Sequence, residues 1–432
     1  MKSSTFDVVV VGAGLAGLTA AYALAREGVD VLVIERGEYP GSKNTFGGIL
    51  YTRIWERYLP GLLADAPLER SVDHYLFGML CGPSYLCLDF AMDQDAESPA
   101  NGHTVLRSRF DRWLSQKAEE AGAKVLCSAL VQDLVYEGKS LAGVHLDAQK
   151  RKIPAQAVIL AEGVNGILTR RLGLGAPLKP SQLAIGVKEV LRLSENIIDE
   201  RFQIWGGRGA ACTFVGLEPR TLHGGGFLYT NRETISVGIV AHLDKVREMG
   251  IDLPRLLAIF KDSYPIKDMI RGAVAKEYSS HLIPEAGRLM QPSLVADGVL
   301  VAGDAAGFAI NTGYSLRGSD LAVASGLASA KTIKEAFDKG NFSREGLFHY
   351  LGNLEAYGVL KDLEKFRAAP GFLKNPNLYG KYPSIACGIM ERLVGVSFSP
   401  HPSLLNILRE EIGKKLGWRK LIWDGIRALR SI

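Results

Sequence analysis

A glycine-rich turn between a buried strand and a helix constrains the fold of this chain more than any other feature. Residues 8–11 are four consecutive valines, a short apolar run typical of a strand buried on both faces. Gly12, Gly14 and Gly17 follow at the spacing G-x-G-x-x-G. An alanine-rich segment comes next and predicts a helix that begins near Leu15. The free N–H groups at the start of such a helix favour a bound phosphate.

Each glycine of this turn has a separate task in a dinucleotide site. Gly12 permits the tight turn, Gly14 lets the backbone approach a pyrophosphate, and Gly17 lets the helix pack on the strand. A second predicted strand, residues 31–34, ends at Glu35, whose carboxylate can accept hydrogen bonds from ribose hydroxyls. The strand, glycines, helix, strand and acid follow one another in the expected order. We therefore predict a dinucleotide site, the alternative being a tight turn without a ligand.

Length and charge limit the class of protein. At 432 residues the chain is too long for one simple core, which indicates two domains or three. The net charge of +5 is mild and indicates no nucleic-acid surface. The only N-terminal apolar run is cut short by Gly12, so we expect no signal peptide. No run of about twenty apolar residues occurs, so we expect no transmembrane helix and a cytoplasmic protein.

The cysteines are scattered along the chain. They are Cys81, Cys87, Cys127, Cys212 and Cys387, and no two of them form a C-x-x-C pair. An iron–sulfur cluster or a structural zinc site requires clustered thiolates. We therefore expect reduced thiols, with no metal and no cluster in this chain.

A second nucleotide motif lies far downstream. A strand predicted at residues 299–301 ends at Gly303 and Asp304, and a helix rich in small residues follows from about Gly318. An aspartate there can bond a ribityl hydroxyl, and the helix N-terminus can face the edge of a pyrimidine-like ring. A nicotinamide enzyme has no need of such a second motif, so its presence favours a flavin.

A third element lies between these two motifs. Residues 157–173 combine a predicted strand, a turn at Glu162 and Gly163, and the start of a helix. Each of the three elements taken alone is also compatible with an ordinary turn. Their occurrence together and in this order indicates a flavin-binding domain.

The motifs also carry a resemblance to a known family. Together they resemble those of two-domain flavoproteins of the glutathione-reductase type, in the branch of aromatic hydroxylases and geranylgeranyl reductases. Stretches such as ERGEYPGSKNTFGGILYTRIWERYLP, GGGFLYTNRETISVGIV and EYSSHLIPEAG are similar to the FixC family, over about residues 6–400. The resemblance implies non-covalent FAD, with Gly303 and Asp304 at its riboflavin part and Arg107 near the flavin.

The FixC family is related to electron-transfer flavoprotein:quinone oxidoreductase. The resemblance thus implies an FAD-dependent oxidoreductase that accepts electrons from electron-transfer flavoprotein subunits of the FixA and FixB type and passes them to a membrane quinone. The larger mitochondrial relative carries a four-iron cluster, held by cysteines, in a C-terminal domain that we do not expect here. In FixC systems a small ferredoxin-like subunit, FixX, supplies that function. Electron bifurcation by such a complex would depend on the partner subunits.

No side chain is predicted to be catalytic, because a flavin carries out the redox chemistry itself. The predicted cofactor-binding residues are Gly12, Gly14, Gly17, Glu35, Arg36, Lys43, Asn44, Gly48, Arg107, Val131, Glu162, Gly163, Gly303, Asp304, Gly318 and Ser319. The predicted quinone-binding residues are His223, Gly224 and Gly225.

The run Gly224-Gly225-Gly226 is predicted to contact quinone because, in the quinone oxidoreductase relatives, the first of these glycines lie against the quinone head group. A β-bulge or turn is the alternative. His223 and His281 are candidate proton donors to a reduced quinone, although a lone histidine is more often structural.

The fold class that follows is α/β, with a Rossmann-type FAD-binding domain interleaved with a β-rich quinone-binding domain and a helical C-terminal region. The FAD-binding domain is expected at residues 1–75, 104–180 and 285–370, the β-rich domain at 76–103 and 181–284, and the C-terminal region at 371–432.

The C-terminal region is predicted to contact a membrane surface or a partner subunit. Apolar residues share two helical faces: Leu405, Leu408, Ile412 and Leu416, then Ile422, Ile426 and Leu429. From His401 onward, seven Lys or Arg residues accompany three Asp or Glu residues. Trp418 and Trp423 suit an interface, and the need to reach a lipid-soluble quinone favours peripheral contact with the cytoplasmic side of a membrane.

Two other functions are compatible with the same scaffold. One is an enzyme of the geranylgeranyl-reductase type, which reduces isoprenoid double bonds and requires a long apolar tunnel. The other is an electron-relay subunit that is inert alone and active only in an assembly.

Overall fold

The structure is a computed structural model that describes residues 5–42, 48–92, 100–146, 151–398 and 400–432. Lys43 and Asn44, both predicted to bind the cofactor, lie outside the described residues.

The strands, in chain order, are β1 (Phe6–Val11), β2 (Val31–Ile34), β3 (Ile49–Tyr51), β4 (Leu68–Cys81), β5 (Ser84–Ala91), β6 (Gly102–Val105), β7 (Lys124–Leu126), β8 (Val131–Glu137), β9 (Ser140–Leu146), β10 (Arg151–Ile153), β11 (Ala155–Leu160), β12 (Leu183–Arg192), β13 (Arg208–Val215), β14 (Gly224–Thr230), β15 (Thr234–His242), β16 (Val274–Pro284), β17 (Val295–Ala296), β18 (Val299–Val301), β19 (Ile310–Asn311) and β20 (Leu316–Arg317).

The α-helices are α1 (Leu15–Arg26), α2 (Arg53–Tyr58), α3 (Arg107–Glu120), α4 (Ile167–Arg171), α5 (Glu195–Phe202), α6 (Leu243–Met249), α7 (Leu253–Asp262), α8 (Ile266–Met269), α9 (Ser319–Lys339), α10 (Arg344–Leu347), α11 (Tyr350–Ala356), α12 (Val359–Lys365), α13 (Ala369–Leu373), α14 (Lys381–Val394), α15 (Leu404–Leu408) and α16 (Trp418–Ser431). Short 3₁₀ turns lie at Leu62–Asp65, Pro180–Gln182, Gly287–Met290, Gly303–Ala306 and Pro376–Leu378, and a π-helical turn lies at Arg409–Lys414.

A six-stranded sheet in the order β17-β18-β11-β1-β2-β7 forms the centre of the nucleotide-binding layer. From β18 to β7 all neighbours are parallel, and only the edge strand β17 is antiparallel. The valines of β1 are buried on both faces, as an apolar strand in a parallel sheet requires. Helices α1, α3 and α9 contribute buried side chains to the same core. The α/β fold expected from the sequence is thereby confirmed.

A nine-stranded mixed sheet forms the second layer, with a path β16-β12-β15-β14-β13-β4-β6-β3 and with β5 paired to β4. Helices α5, α7 and α8 form a hydrophobic core with this sheet and contribute buried residues such as Ile198, Phe260 and Ile266. A small antiparallel sheet of β8, β9 and β10 and the pair β19–β20 complete the strands among the described residues.

The large sheet draws strands from segments expected in the FAD-binding domain. Strand β4 runs across the boundary expected at residue 75, and β6 across the one expected at residue 103. Strand β3 pairs with β6 and so belongs to the same sheet. The chain therefore crosses between the two layers more often than the predicted domain boundaries indicate.

A fully buried arginine holds the large sheet to α5. Arg70 on β4 donates from Nη1 to Asp199 Oδ1 at 2.6 Å and from Nε to the Asn231 carbonyl at 2.7 Å. It also donates to the carbonyls of Arg208 and Arg232. A buried guanidinium is tolerated only when it is paired and hydrogen-bonded, and this one is.

The C-terminal region is helical, and its last helix is anchored by a buried carboxylate. Asp424 of α16 accepts hydrogen bonds from Asn375 Nδ2 at 2.9 Å, Tyr382 OH at 2.7 Å and Lys420 Nζ at 2.8 Å. Burial alone would raise the pKa of Asp424, but these donors outweigh it and lower the pKa to about 2. Within the described ranges, no helix has both the length and the apolar composition to cross a membrane.

Two cysteines that the sequence indicated to be reduced thiols are joined in the structure. Cys81 at the end of β4 and Cys387 on α14 form a disulfide with Cα atoms 6.5 Å apart. The expectation was wrong for this pair because 306 residues of chain separate the two cysteines, and only the fold brings them together. Cys87, Cys127 and Cys212 are free thiols.

The close approach of α1 and α9 generates a testable prediction about stability. A Cβ atom added at Gly326 would lie 2.4 Å from the Ala16 carbonyl oxygen and 3.1 Å from the Thr19 Cβ. We expect Gly326→Ala to lower the free energy of unfolding by about 1–3 kcal/mol because the two helices must separate. Urea unfolding followed by circular dichroism measures the change.

The matched control is Gly352→Ala on α11, where no atom lies within 4 Å of the added Cβ. There the substitution should be neutral or stabilise by up to about 1 kcal/mol, since alanine favours helix. Equal destabilisation by both variants would contradict the assignment of Gly326 to a packing constraint.

Candidate active site

Three loops meet at one edge of the six-stranded sheet, because the adjacent parallel strands β18, β11 and β1 all end there. Gly12 follows β1 with φ +105°, and a Cβ atom on it would lie 2.3 Å from the Ala161 carbonyl oxygen after β11. Gly303 follows β18 with φ +63°, and its Cβ would lie 2.9 Å from the Ala16 Cβ. Glycine is therefore required at both positions by backbone conformation and by space.

A single cavity of about 1400 Å³ opens from this edge. At the end near the sheet it is lined by Gly14, Leu15 and Ala16, which form the N-terminus of α1. Because the cap residue Gly14 carries no side chain, the helix N-terminus faces the cavity uncovered. Such an end presents N–H groups and a positive dipole to an anion.

The acid predicted to hold a ribose follows β2 directly. Glu35 Oε2 accepts a hydrogen bond from the Ala13 N–H at 2.9 Å, and Oε1 accepts one from the Gly37 N–H at 2.6 Å. These bonds fix the carboxylate beside the glycine-rich turn. The neighbouring Arg36 is exposed, and Gly17 packs α1 against the turn because its Cβ would meet the Gly12 carbonyl at 2.0 Å.

The second predicted contact, Asp304, lines the cavity together with Gly163 and Arg107. Burial raises the pKa of Asp304 to about 6, and the positive charge of Arg107 opposes that shift. Arg107 itself is oriented by a bidentate pair with Asp111, through Nε to Oδ1 at 2.7 Å and Nη2 to Oδ2 at 2.9 Å.

Six of the predicted cofactor residues that the structure describes lie outside the cavity lining: Gly12, Gly17, Glu35, Arg36, Val131 and Glu162. Glu162 accepts hydrogen bonds from the Leu168 and Thr169 N–H groups and from the Thr169 hydroxyl, so its carboxylate caps the start of α4. Val131 is buried at the start of β8 in the small sheet. Gly48 does line the cavity, and its carbonyl accepts a hydrogen bond from Val105.

The long helix α9 presents its N-terminus to the same space. Gly318 is its cap residue, and Ser319 is its first residue; both line the cavity. Arg317 pairs with Asp320 and with Asp362 Oδ2, the latter at 2.7 Å, so its charge is compensated. These two ion pairs compensate the charge of Arg317, which lies next to the N-terminus of α9. The positive end of the helix dipole therefore remains available to an anionic or polar group.

The far end of the cavity is lined by the large sheet. Gly224 and Gly225 lie there in the regular strand β14, paired with β15. A Cβ at Gly224 would lie 2.2 Å from the Val240 carbonyl oxygen, and one at Gly225 would lie 2.5 Å from the Phe214 carbonyl oxygen. The bulge or turn that the sequence left as an alternative is therefore not formed, and close strand packing also requires these glycines.

The histidines lie at different depths. His223 is buried outside the cavity lining, with its ring stacked on Tyr379 at 5.2 Å and edge-on to His242 at 6.0 Å. Burial lowers the pKa of His242 to about 4, and burial together with Arg107 and Arg36 lowers that of His281 to about 4. His242 and His281 line the cavity and are neutral at pH 7.

Sequence reasoning missed a buried acid and its neighbours at the far end of the cavity, which we call the chamber. Glu285 lines the cavity, and both its carboxyl oxygens lie within hydrogen-bond distance of Asn311 Nδ2, at 3.1 and 3.0 Å. Tyr379 and Tyr382 from the C-terminal region line the same chamber. No local pattern marks these residues, since three distant segments contribute them.

The residues at the sheet end of the cavity fit FAD. The two left-handed glycine turns leave room for a backbone-bound pyrophosphate, Glu35 is held beside the glycine-rich turn, and Asp304 lines the cavity. The N-termini of α1 and α9 both face the cavity. Bound FAD would supply reversible two-electron chemistry there.

Comparisons with known proteins identify the family. Residues 7–168 match the model of the family "FAD dependent oxidoreductase", and residues 369–432 match "ETF-QO/FixC family C-terminal domain". Protein FixC of Escherichia coli K12 is 42% identical over 431 residues, covering 99% of both chains. The chain belongs to the FixC family. It is an FAD-dependent oxidoreductase, so the family and cofactor predicted from the sequence are confirmed.

A second curated relative extends the match. The "Probable electron transfer flavoprotein-quinone oxidoreductase YdiS" of Escherichia coli K12 is 40% identical over 432 residues, covering 100% of both chains. The solved structure of a geranylgeranyl bacteriochlorophyll reductase-like protein from Thermoplasma acidophilum has a TM-score of 0.74 at 19% identity, covering 98% of this chain and 99% of that one. At that identity the likeness shows the fold alone.

Among the residues that the structure describes, no group of three or more His, Cys, Asp or Glu side chains is arranged to hold a metal ion.

The position of Asp304 generates a prediction about cofactor affinity. If its carboxylate accepts a ribityl hydrogen bond, Asp304→Asn should weaken FAD binding by about 1–3 kcal/mol. Because the pKa of Asp304 is raised to about 6, the carboxylate forms as pH rises through that value, and affinity of the parent should increase over the same range. Fluorescence titration of the apoprotein with FAD between pH 5 and 8 measures both effects.

Glu162→Gln serves as the control, since that carboxylate is occupied by α4 and not directed into the cavity. We expect it to alter stability with little change in FAD affinity. Unchanged affinity in Asp304→Asn, with the pH dependence intact, would show that Gly303 and Asp304 form only a turn.

Proposed function

We propose that this chain accepts electrons from an electron-transfer flavoprotein and passes them through FAD to a quinone drawn from a membrane. In this proposal its partners are electron-transfer flavoprotein subunits of the FixA and FixB type and a small ferredoxin-like subunit of the FixX type. The printed name of the relative YdiS supports the donor and the acceptor class.

The observation that carries the proposal is the extent of the cavity. It is continuous from the N-terminus of α1, where FAD fits, to the glycines of β14 and to aromatic and apolar side chains of the C-terminal region. Phe372, Leu373, Tyr379, Tyr382 and Ile432 all line this far end. An apolar chamber beside the flavin suits a hydrophobic, planar acceptor such as a quinone.

The C-terminal region that lines the chamber also presents apolar side chains to the outside. On α16, Trp418, Ile422, Trp423 and Leu429 are exposed, Leu429 at 86%. The final residue of the chain, Ile432, follows this helix and lines the cavity. One short helix therefore links an exposed apolar face to the chamber, as a lipid-soluble substrate would require.

The charge on α16 supports contact with an anionic lipid surface. Its basic residues Arg419, Lys420, Arg427 and Arg430 accompany a single acid, Asp424, which is buried. Basic side chains add about 1 kcal/mol each near anionic lipid, and the cytoplasmic leaflet carries such a surface. We accordingly propose peripheral binding at the cytoplasmic side, with tryptophans at the lipid–water interface.

The proposed electron route is tested with the purified FAD-loaded protein. Reduced electron-transfer flavoprotein should bleach the flavin absorbance of this chain, and added quinone should restore it. Reduction of an unsaturated isoprenoid lipid in place of quinone would favour the geranylgeranyl-reductase type of enzyme. Turnover that begins only when the partner subunits are added would favour the electron-relay subunit.

The membrane contact is tested with a double variant. Trp418→Ser/Trp423→Ser should float less with anionic vesicles and should reduce long-chain quinone more slowly, because only that acceptor must be collected from a bilayer. A short, water-soluble quinone should be reduced at the parent rate. Trp205→Ser removes another exposed tryptophan, 62% accessible in the loop after α5, and should change neither property.

If the double variant floats and reduces both quinones as the parent does, α16 serves packing or a partner subunit and not lipid binding. Equal loss of both activities would point to a structural role instead.

A further inference from the structure

A buried carboxyl group in the far chamber has no ionic partner among the described residues. Glu285 follows β16 directly and is 5% exposed. Its backbone N–H donates to the Gln182 carbonyl at 2.9 Å, which fixes the start of the loop. Its carboxyl oxygens contact only Asn311 Nδ2 among the hydrogen bonds of the described chain.

The orientation of Asn311 decides what a proton on Glu285 can do. Asn311 Oδ1 accepts a hydrogen bond from the Gly313 N–H at 2.8 Å, so its amide nitrogen is the atom that faces Glu285. An amide NH₂ group donates and does not accept. The O–H group of a protonated Glu285 therefore does not donate to Asn311. It is available to an acceptor in the cavity.

Three ionisable groups near Glu285 are less suited to this role. Tyr379 faces it from the C-terminal region but donates its own hydroxyl to the Leu373 carbonyl at 2.8 Å. Burial, and then the charge of Glu285, raises the pKa of Tyr379. His281 on β16, the strand that precedes Glu285, and His242 on β15 are neutral at pH 7.

Two nearby arginines are paired with carboxylates. Arg317 on β20 pairs with Asp320 and Asp362. Arg288, which follows Glu285 in the next turn, is exposed and pairs with Glu364. Burial raises the pKa of Glu285 to about 7, the Asn311 hydrogen bond opposing that shift in part, so the group exchanges its proton near neutral pH.

We propose that Glu285 is the proton donor to the quinone that is reduced in this chamber, an inference that rests on the proposed function. Conversion of a quinone to a quinol takes two electrons and two protons. Bound FAD in its reduced form, FADH⁻, would supply both electrons and one proton and leave neutral FAD. Glu285 supplies the second proton to a quinone oxygen and is left as a carboxylate, so the net charge of −1 is conserved. Solvent then reprotonates it.

The test compares two oxidants of the pre-reduced, FAD-loaded protein in a stopped-flow instrument. A short, water-soluble quinone requires the proton, whereas ferricenium takes up one electron and no proton. Glu285→Gln should slow reoxidation by quinone by about 100-fold, within the range for a positioned general acid, and leave reoxidation by ferricenium unchanged. Glu285→Asp, which keeps an acid, should recover part of the rate.

The pH profile supplies a second signature. Because the protonated form is required, the parent rate with quinone should fall as pH rises through about 7, and the Glu285→Gln rate should lack that step. Glu189→Gln is the matched control, since Glu189 on β12 pairs with Lys261 at 2.6 Å outside the cavity lining. It should leave both rates and the profile unchanged.

A readout independent of turnover comes from infrared difference spectra. The parent should show a carboxylic-acid C=O band that titrates near neutral pH and shifts when a non-reducible quinone analogue binds, and Glu285→Gln should lack it. If Glu285→Gln does not fold with FAD, this band and the Glu285→Asp rates decide the matter.

Equal slowing of both oxidants by Glu285→Gln would overturn the proposal and assign the residue to packing or cofactor placement. Parent-like rates with quinone would also overturn it. A parent protein that reacts with ferricenium but not with quinone would instead overturn the proposed function, and the role of Glu285 with it.

Discussion

The whole molecule depends on the alignment of three adjacent parallel strands whose carboxyl ends meet at one edge. Parallel pairing of β1, β11 and β18 places the loops after Val11, Leu160 and Val301 side by side, although the strands are far apart in sequence. The loops can approach only because Gly12 and Gly303 lack side chains. Helices α1 and α9 then start at the same edge, and Gly326 lets them cross closely enough to share it. The large sheet, the chamber and the C-terminal helices are arranged around this edge.

The C-terminal region contributes both to the cavity wall and to the outer surface. Its inner side chains, Tyr379 and Tyr382 among them, close the far wall of the cavity, whereas α16 exposes tryptophans and basic residues outside. Asp424 connects the two, because Tyr382 and Asn375 both donate to its carboxylate. A change in the position of α16 would therefore be transmitted through a hydrogen bond to a residue of the chamber wall. This coupling gives the outer surface a direct physical route to the site.

Local signals predicted the nucleotide-binding elements closely, and non-local packing decided the rest. The valine run and the glycine spacing located β1 and the start of α1 at Leu15, and the acid at Glu35 follows β2 as expected. Glu285 could not be predicted, since its environment comes from Asn311 and Tyr379, which are brought together only by the packed fold. Glu162 is predicted from its sequence context as a cofactor contact, and in the structure its carboxylate accepts hydrogen bonds from the helix that follows it.

The electrostatics of the chamber follow from its burial. His242 and His281 are held neutral, Arg317 is compensated by two carboxylates, and Glu285 is poised near neutrality between its two protonation states. Charge that accumulates in such a space is costly, because an isolated ion loses its hydration and the surroundings screen it poorly. In the proposed reaction, two electrons therefore cross most readily when protons accompany them. Glu285, a buried acid with a free O–H direction, would meet that requirement without placing a permanent charge beside an apolar substrate.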